Sequence, residues 1–363
     1  MAQSSITTDT YVTTENMVKD RGGITAYSGE LPASAGTAYK KGDTLVSNIR
    51  PYLQKIWLAD RDGTCSKDVL VFRSINTDSL LPEFLHLLLW QKDFFDYDMS
   101  TFTGTGRPRG DKDELLKYPI PVPTLSEQRA LIDGFNRLTD EINSKRQQIA
   151  ALKESVKSRF VEIVGSSAPQ IPLKNLFSSE PQNGLYKPQS SYRRDGTGTP
   201  IVRIDSFISG ETPHWTLLKR LECTTSEVLT YRLRSGDLLI NRVNSLPYLG
   251  KVAYIDEAIA GAVFESNLMR FSISNQAEPR YVAYALSRDD VHVQIEQRAK
   301  LAVHQASINQ ADVSQLLIPL PPLSLQQEFA DFAAEADKSQ FALEQEVDAL
   351  SAERDALLDR FLA

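Results

Sequence analysis

Two stretches in the first third of the chain carry side chains suited to hydrogen bonding with nucleic acid. One follows the dipeptide Gly42–Asp43, and the other is the loop GTGRPRGDK at residues 104–112. Arginine can donate two hydrogen bonds to the edge of guanine, asparagine can read adenine, and glycines let the backbone approach phosphates closely. An ordinary solvated loop is the alternative for the second stretch. The candidates for DNA contact are Asn48, Arg50, Tyr52, Lys55, Arg107, Arg109 and Lys112.

A related set surrounds the dipeptide Gly236–Asp237 in the second half of the chain. Both Gly–Asp pairs are predicted to be structural turns that lead into a strand. Among the residues of this set, His304 is as well suited to a local hydrogen bond as to contact with a base. The candidates are Tyr186, Lys187, Arg193, Arg194, Asn241, Arg242, Asn244, Lys251, Lys300, His304 and Gln305.

A repeated phrase shows how these two sets are positioned. IPVPTLSEQ occupies residues 120–128 and IPLPPLSLQQ occupies residues 318–327, with a constant offset of 198 between matching residues. The Gly–Asp stretches KKGDTLVSNIR and RSGDLLINRV also correspond and occur in the same order. A short repeated phrase whose neighbouring segments also correspond in the same order indicates an internal duplication.

Each phrase opens a segment with helical character, at residues 126–165 and 324–363. Apolar residues recur every seven positions, which is the spacing of a coiled-coil seam. Helices of this length would be ~55 Å long and could not bury their apolar stripes alone, so we expect them to pair with each other. The recurring residues are Phe135, Ile142, Ile149, Val156 and Ile163 in the first segment, and Phe329, Ala336, Leu343, Leu350 and Leu357 in the second.

The segments that precede the helices, residues 1–125 and 171–323, are predicted to be globular domains of mixed α/β structure. Short apolar runs bounded by Gly, Asp, Asn and Pro indicate strands, and LPEFLHLLLWQ and PRYVAYALSR indicate short helices. The first domain is shortened at its N-terminal side, since 41 residues precede Gly42 whereas the 65 residues 171–235 precede Gly236 in the second domain.

Charge and motifs favour a binding protein over an enzyme. Residues 324–363 hold three Lys or Arg and ten Asp or Glu, which accounts for the whole net charge of −7 and leaves the globular segments close to neutral. No phosphate-binding loop, acidic-x-Lys nuclease pair or zinc spacing is present, so we expect no metal and no cofactor in this chain. Two distant cysteines, and the absence of an apolar span or signal peptide, predict a cytoplasmic protein without membrane contact.

The duplicated unit of α/β domain and long helix, with an IPxPxLxEQ-like entry to each helix, resembles the specificity subunit of type I restriction–modification systems. The resemblance implies two target-recognition domains, each reading one half of a split double-stranded DNA sequence. It also implies an antiparallel coiled coil with pseudo-two-fold symmetry that sets the separation of the domains and docks two methyltransferase subunits. S-adenosylmethionine would bind in those partners, and restriction subunits can join the complex.

A non-enzymatic adaptor, with two protein- or peptide-binding domains on a coiled-coil scaffold, is the alternative. Binding to phosphates weakens steeply as salt is raised, whereas recognition of protein depends on salt less. The salt dependence of duplex binding therefore separates the two hypotheses.

Overall fold

The computed structural model describes residues 7–32, 36–102, 108–165, 168–207, 213, 218–303 and 305–362. The chain forms two compact units: unit 1 comprises Met1–Gln147 with Glu344–Ala363, and unit 2 comprises Gln148–Leu343. Both contain short helices and small sheets, so the predicted mixed α/β fold is confirmed. Each long helix contributes one part to each unit, whereas the boundaries drawn from sequence treat the helices as separate segments.

Unit 1 begins with short strands and continues into helices. The strands are β1 (Tyr11–Val12), β2 (Thr37–Tyr39), β3 (Thr44–Ser47), β4 (Ile56–Leu58), β5 (Gly63–Cys65) and β6 (Val69–Phe72). The helices are α1 (Pro82–Trp90), α2 (Lys92–Ser100), α3 (Lys112–Leu115) and the first part of α4 (Leu125–Val164). The last helix of the chain also ends in this unit.

Strand β3 lies at the centre of a small antiparallel sheet, between β4 and β6. Gly42 precedes it with φ of 88°, a conformation that glycine adopts without strain. The carboxylate of Asp43 accepts hydrogen bonds from the Lys40 backbone N–H at 2.7 Å and from the Arg73 guanidinium at 2.5 and 2.6 Å. The first Gly–Asp pair therefore forms a structural turn.

Unit 2 contains the remaining strands and helices. The strands are β7 (Gln170–Pro172), β8 (Phe177–Asn183), β9 (Tyr192–Arg193), β10 (Thr199–Val202), β11 (Lys219–Leu221), β12 (Asp237–Asn241), β13 (Val243–Asn244), β14 (Val252–Tyr254), β15 (Val263–Phe264), β16 (Leu268–Ile273), β17 (Lys300–Ala302), β18 (Gln305–Ser307) and β19 (Leu317–Pro319). The helices are α5 (Thr225–Tyr231), α6 (Pro279–Leu286), α7 (Asp289–Arg298), α8 (Gln310–Ser314) and the first part of α9 (Leu323–Leu362), and α4 ends in this unit.

Strand β12 occupies in unit 2 the place that β3 occupies in unit 1. It pairs antiparallel with β14 and β16, and β8 adds to the outer side of β16. Gly236 has φ of 87°, and the Asp237 carboxylate accepts hydrogen bonds from the Arg234 backbone N–H at 2.8 Å and the Ser272 hydroxyl at 2.6 Å. The second Gly–Asp pair is thus also a structural turn.

The heptad residues of both long helices face away from solvent. In unit 1, Leu131 and Phe135 of α4 share a buried cluster with Phe84 of α1 and Leu358 of α9. In unit 2, Phe160 of α4 shares a cluster with Phe329 of α9. All ten heptad residues named above are buried or half-buried. The apolar period seen in the sequence therefore marks the packed face of each helix.

The repeated phrase contains a buried glutamine that ties each long helix to its unit. Gln128 is fully buried; its amide donates to the Pro123 carbonyl at 2.8 Å and accepts the backbone N–H of Leu81, at the start of α1, at 2.8 Å. Gln326 repeats both bonds with the Pro321 carbonyl at 2.7 Å and the Glu278 N–H, at the start of α6, at 3.0 Å. The phrase recurs because each helix start needs the same connection.

Replacing Gln326 with leucine tests this connection. The variant keeps the volume but leaves the Glu278 N–H and the Pro321 carbonyl buried without these partners, so we expect the free energy of unfolding of unit 2 to fall by about 1–3 kcal/mol. Hydrogen exchange of the α6 amides, resolved by mass spectrometry, measures the loss. Gln327 is exposed, and Gln327→Leu is the matched control. Equal protection in the two variants would contradict a role for the buried amide.

Candidate nucleic-acid interface

The predicted residues of unit 1 lie at the end of β3 that is opposite its Gly–Asp turn. Backbone pairing between Ile49 and Arg109 joins the stretch after β3 to the GTGRPRGDK loop. The Arg50 N–H donates to the Pro108 carbonyl at 2.8 Å. Two stretches that are distant in sequence are thereby brought side by side, as one edge of the unit.

The side chains along this edge differ in exposure. Those of Arg50, Tyr52, Arg109 and Lys112 are exposed, and Arg109 pairs with an Asp68 carboxylate oxygen at 2.8 Å. An exposed guanidinium with a single carboxylate partner keeps further donors for a phosphate or a base. Arg107 lies outside the described residues.

Two other candidates of unit 1 point inward. Asn48 is 2% exposed. The Lys55 ammonium donates to the Thr14 carbonyl at 2.6 Å, and burial, with the Arg50 charge as a second cause, lowers the pKa of Lys55. Asn48 is thus covered and Lys55 is held by a backbone carbonyl, and their DNA contacts stay predictions.

A buried acid adjoins this edge. Asp98 packs directly against Gly110 of the loop, because a Cβ added to Gly110 would lie 1.7 Å from Oδ1 of Asp98. The same Cβ would lie 3.2 Å from Oδ1 of Asn48. Within the described residues, these two oxygens and Oδ2 of Asp98 are buried without a hydrogen-bond partner. Burial raises the pKa of Asp98 to about 7. The sequence held no signal for this site, since Asp98 is one acid among many.

The corresponding edge of unit 2 follows β12. Strand β13 pairs antiparallel with β18, which places Asn244 opposite Ala306 and beside Gln305. Strand β17 pairs with the other side of β18 and carries Lys300. Lys300 and Gln305 are exposed and Asn244 is half-buried. His304, which follows the end of β17, lies outside the described residues.

Two residues at the end of β12 are less accessible. Asn241 is fully buried, and its amide has no hydrogen-bond partner among the described residues. Arg242 is half-buried, donates from Nη1 to the Ser266 carbonyl at 3.1 Å, and lines a cavity of about 410 Å³ with Asn309. The cavity gives Arg242 an opening toward a ligand, whereas the side chain of Asn241 is not accessible.

Of the remaining candidates of unit 2, four precede β12 in the chain, and the fifth, Lys251, directly precedes β14. Tyr186 and Arg194 are exposed. Lys187 pairs with Glu227 at 2.7 Å, a bond that raises the pKa of Lys187, and Arg193 pairs with Glu222 at 2.5 Å. The Lys251 ammonium is held by the Ile204 and Phe207 carbonyls at 2.8 and 3.2 Å, and burial lowers its pKa. Tyr186 and Arg194 are therefore the most available of this group.

The long helices begin at the other end of each small sheet. In unit 1, β6 ends beside Thr44 at the start of β3, and Gln128 binds the start of α1, where a Cβ on Gly42 would lie 3.5 Å from Pro82. In unit 2, β16 runs to Asp237 before the chain reaches α6. In each unit, the candidate edge and the start of the long helix thus lie at opposite ends of the small sheet.

The described ranges contain neither a candidate metal site nor a candidate membrane-spanning helix. No group of three or more His, Cys, Asp or Glu side chains there could hold a metal ion. Among the helices of that part of the chain, none is long and apolar enough to cross a bilayer.

Comparison with known proteins identifies the family. The sequence matches the model of the type I restriction modification DNA specificity domain over residues 7–154 and 170–350. It is 24% identical over 225 residues to the type I restriction enzyme EcoKI specificity subunit of Escherichia coli strain K12, covering 58% of this chain and 48% of that protein. It is 31% identical over 180 residues to the putative type I restriction enzyme MjaX specificity subunit of Methanocaldococcus jannaschii, covering 49% of this chain and 42% of that protein. The chain spans about half the length of these curated relatives.

Solved structures share the fold over nearly the full chain. The type I restriction–modification S subunit from M. genitalium aligns with a TM-score of 0.59 at 14% identity, covering 100% of this chain and 92% of that one. A chain from a study of complex assembly and conformational transition in the type I R-M system aligns with a TM-score of 0.51 at 22% identity, covering 98% and 91%. With the family model matched by both units, this chain belongs to the family of type I restriction–modification specificity subunits.

Proposed function

We propose that this chain is the DNA-reading component of a type I restriction–modification complex, with each unit reading one half of a split target. The observation that carries the proposal is the repeated edge. In both units, basic and amide side chains gather after the central strand, at the end opposite the Gly–Asp turn. Strand β17 is the exposed outer strand of its sheet and pairs antiparallel with β18, and the major groove of B-DNA admits an antiparallel β-ribbon. The acidic end of the chain is suited to face protein or solvent rather than DNA.

The long helices are proposed to pair as an antiparallel coiled coil related by a pseudo-two-fold axis. Both have 40 residues and their bounds differ by the same offset of 198. Two contacts within unit 1 support this pairing. The helices approach closely at Gly134 of α4, where an added Cβ would lie 3.0 Å from the side chain of Leu357 of α9. Lys145 of α4 also forms an ion pair with Glu346 of α9. Between these two contacts, residue numbers increase along α4 and decrease along α9, so the helices run antiparallel there. Such a pair would fix the distance between the two readers.

The outer faces of the helices are proposed to dock two methyltransferase subunits, and catalysis is assigned to those partners. S-adenosylmethionine would bind there, and restriction subunits would complete the cleaving complex in the cytoplasm. The support is family membership together with the lack of a phosphate-binding loop and of an acidic-x-Lys nuclease pair in this sequence.

Arg50→Ala is the direct test of the unit 1 edge. If Arg50 contacts a phosphate, its loss is expected to weaken binding about tenfold and to lower the slope of log affinity against log salt by about one. Mobility shifts of the assembled complex over a salt series measure both. Methylation sequencing should show a loss of activity without a change in the half-sequence that unit 2 reads.

Arg61→Ala is the matched control for this experiment. Arg61 is exposed and follows β4, which runs antiparallel to β3 and so carries it to the Gly–Asp end of the same sheet. The two substitutions remove the same charge from opposite ends. Equal effects on the salt slope would contradict the proposed edge, and binding that does not depend on salt would favour a protein-binding adaptor.

A further inference from the structure

Unit 2 contains a groove that the DNA-reading edge does not use. It has a volume of about 610 Å³ and lies between α4, the junction of α6 with α7, and α9. Its apolar wall includes Val156, Phe160, Tyr284 and Ala333. The guanidinium of Arg288 lies 5.1 Å from the centre of the Phe160 ring. The groove therefore combines an apolar wall with the guanidinium of Arg288, which lies over the face of the Phe160 ring.

The corresponding place in unit 1 can be located through the duplication. The offset of 198 that relates the two helices matches Phe160 with Leu358, and Val156 with Arg354. The same offset matches Ala333 with Phe135. Aligning the first residues of α1 and α6, Pro82 and Pro279, gives an offset of 197 for these helices and matches Trp90 with Ser287. Three small groove residues of unit 2 thus stand where unit 1 has Arg354, Phe135 and Trp90.

These larger side chains fill the place in unit 1. The rings of Trp90 and Phe135 lie 5.1 Å apart, edge to face. The Arg354 guanidinium lies 4.7 Å from the Trp90 ring, and that of Arg21 lies 4.2 Å from it. Both Nε atoms are buried without a hydrogen-bond partner among the described residues, so contact with the indole is a main interaction of these cations. Unit 1 thereby supplies its own occupant, an aromatic ring held by guanidinium groups.

We propose that the groove of unit 2 receives an aromatic side chain from a methyltransferase subunit, in the place that Trp90 takes in unit 1. This inference rests on the docking assigned to the helices under the proposed function. The inserted ring would lie against Val156 and Tyr284, which are half-buried along the groove, and meet Arg288, in a ring-and-guanidinium contact like those of unit 1. The two docking sites are then not equivalent, because the groove of unit 2 is open to such a ring whereas the described side chains of unit 1 fill the corresponding place.

Ser287→Trp tests the proposal by giving unit 2 the residue that closes unit 1. Ser287 is half-buried at the rim of the groove, so the new ring can enter it without replacing a core residue. Titration of the full chain with a methyltransferase subunit that forms an active complex with it should show affinity at one of two sites falling at least tenfold. The other site and duplex binding should stay unchanged. Ala333→Phe, which fills the groove from α9, should act on the same site.

Ala342→Phe serves as the matched control, since Ala342 is exposed on the same helix and does not line the groove. It should leave both affinities unchanged while Ala333→Phe lowers one. If the parent chain and Ser287→Trp bind the methyltransferase equally, the groove proposal is overturned although docking itself stands. Weakening of both sites together would overturn the assignment to unit 2 alone. If the parent chain binds no methyltransferase, the proposed function fails first.

Discussion

Replacing Phe160 with alanine is expected to lower the free energy of unfolding of unit 2 by about 3–5 kcal/mol. Phe160 is 0% exposed. Its ring centre lies 5.2 Å from that of Tyr281, 4.9 Å from that of Tyr284 and 5.2 Å from that of Phe329. The substitution removes the ring that joins α4 to both α6 and α9 in this unit. Beyond the lost apolar burial, three aromatic pairs disappear.

Val161→Ala is the matched control for Phe160, one residue further along the same helix. Val161 is 57% exposed, so its loss should change stability by no more than about 0.5 kcal/mol. Hydrogen exchange of the α6 and β16 amides, resolved by peptide, reports on unit 2 separately from unit 1. A loss below about 1 kcal/mol in Phe160→Ala would show that this ring does not anchor the helix to the unit.

The stability of unit 1 is expected to decrease as pH rises, and Asp98→Asn is expected to abolish this decrease. Asp98 is 0% exposed, and burial raises its pKa to about 7 from the usual 3.8. Between these two values the folded protein retains a proton that the unfolded chain has released, so raising the pH favours unfolding. The slope is about 1.4 kcal/mol per pH unit. From pH 5 to pH 7 the parent should lose about 2–3 kcal/mol, and the loss should level off above the folded pKa.

The asparagine variant cannot ionise, and its side chain has nearly the same size and shape as that of the acid. Urea unfolding at pH 5, 6, 7 and 8, followed by hydrogen exchange in unit 1, compares it with the parent. Asp96→Asn is the control on the same helix, because Asp96 is exposed and pairs with Lys92; it should retain the parent's pH dependence. If Asp98→Asn retains that dependence as well, the acid does not carry a proton in the folded unit.

The sequence alone determined the order of elements and the packed face of each long helix. The repeated IPxP phrase located both helix starts, because proline ends the preceding strand and permits a helix to begin. The seven-residue period identified residues such as Phe135 and Phe329, which are buried in the structure. Both features depend on neighbours along the chain, and local spacing records them directly. The glutamines at 128 and 326 stood in the same phrase, and their recurrence was the available signal for their role.

The tertiary structure decided which candidate side chains face outward. Residue type alone makes Asn48, Arg50 and Arg109 equal candidates for DNA contact, yet Asn48 is buried while the two arginines are exposed. The difference arises from the pairing of Ile49 with Arg109 and from the helix that brings Asp98 beside Gly110. Contacts between segments so distant in sequence leave no period in it. The same reason explains why the filled place of unit 1 and the open groove of unit 2 became apparent only in three dimensions: Trp90, Phe135 and Arg354 come from three separate helices.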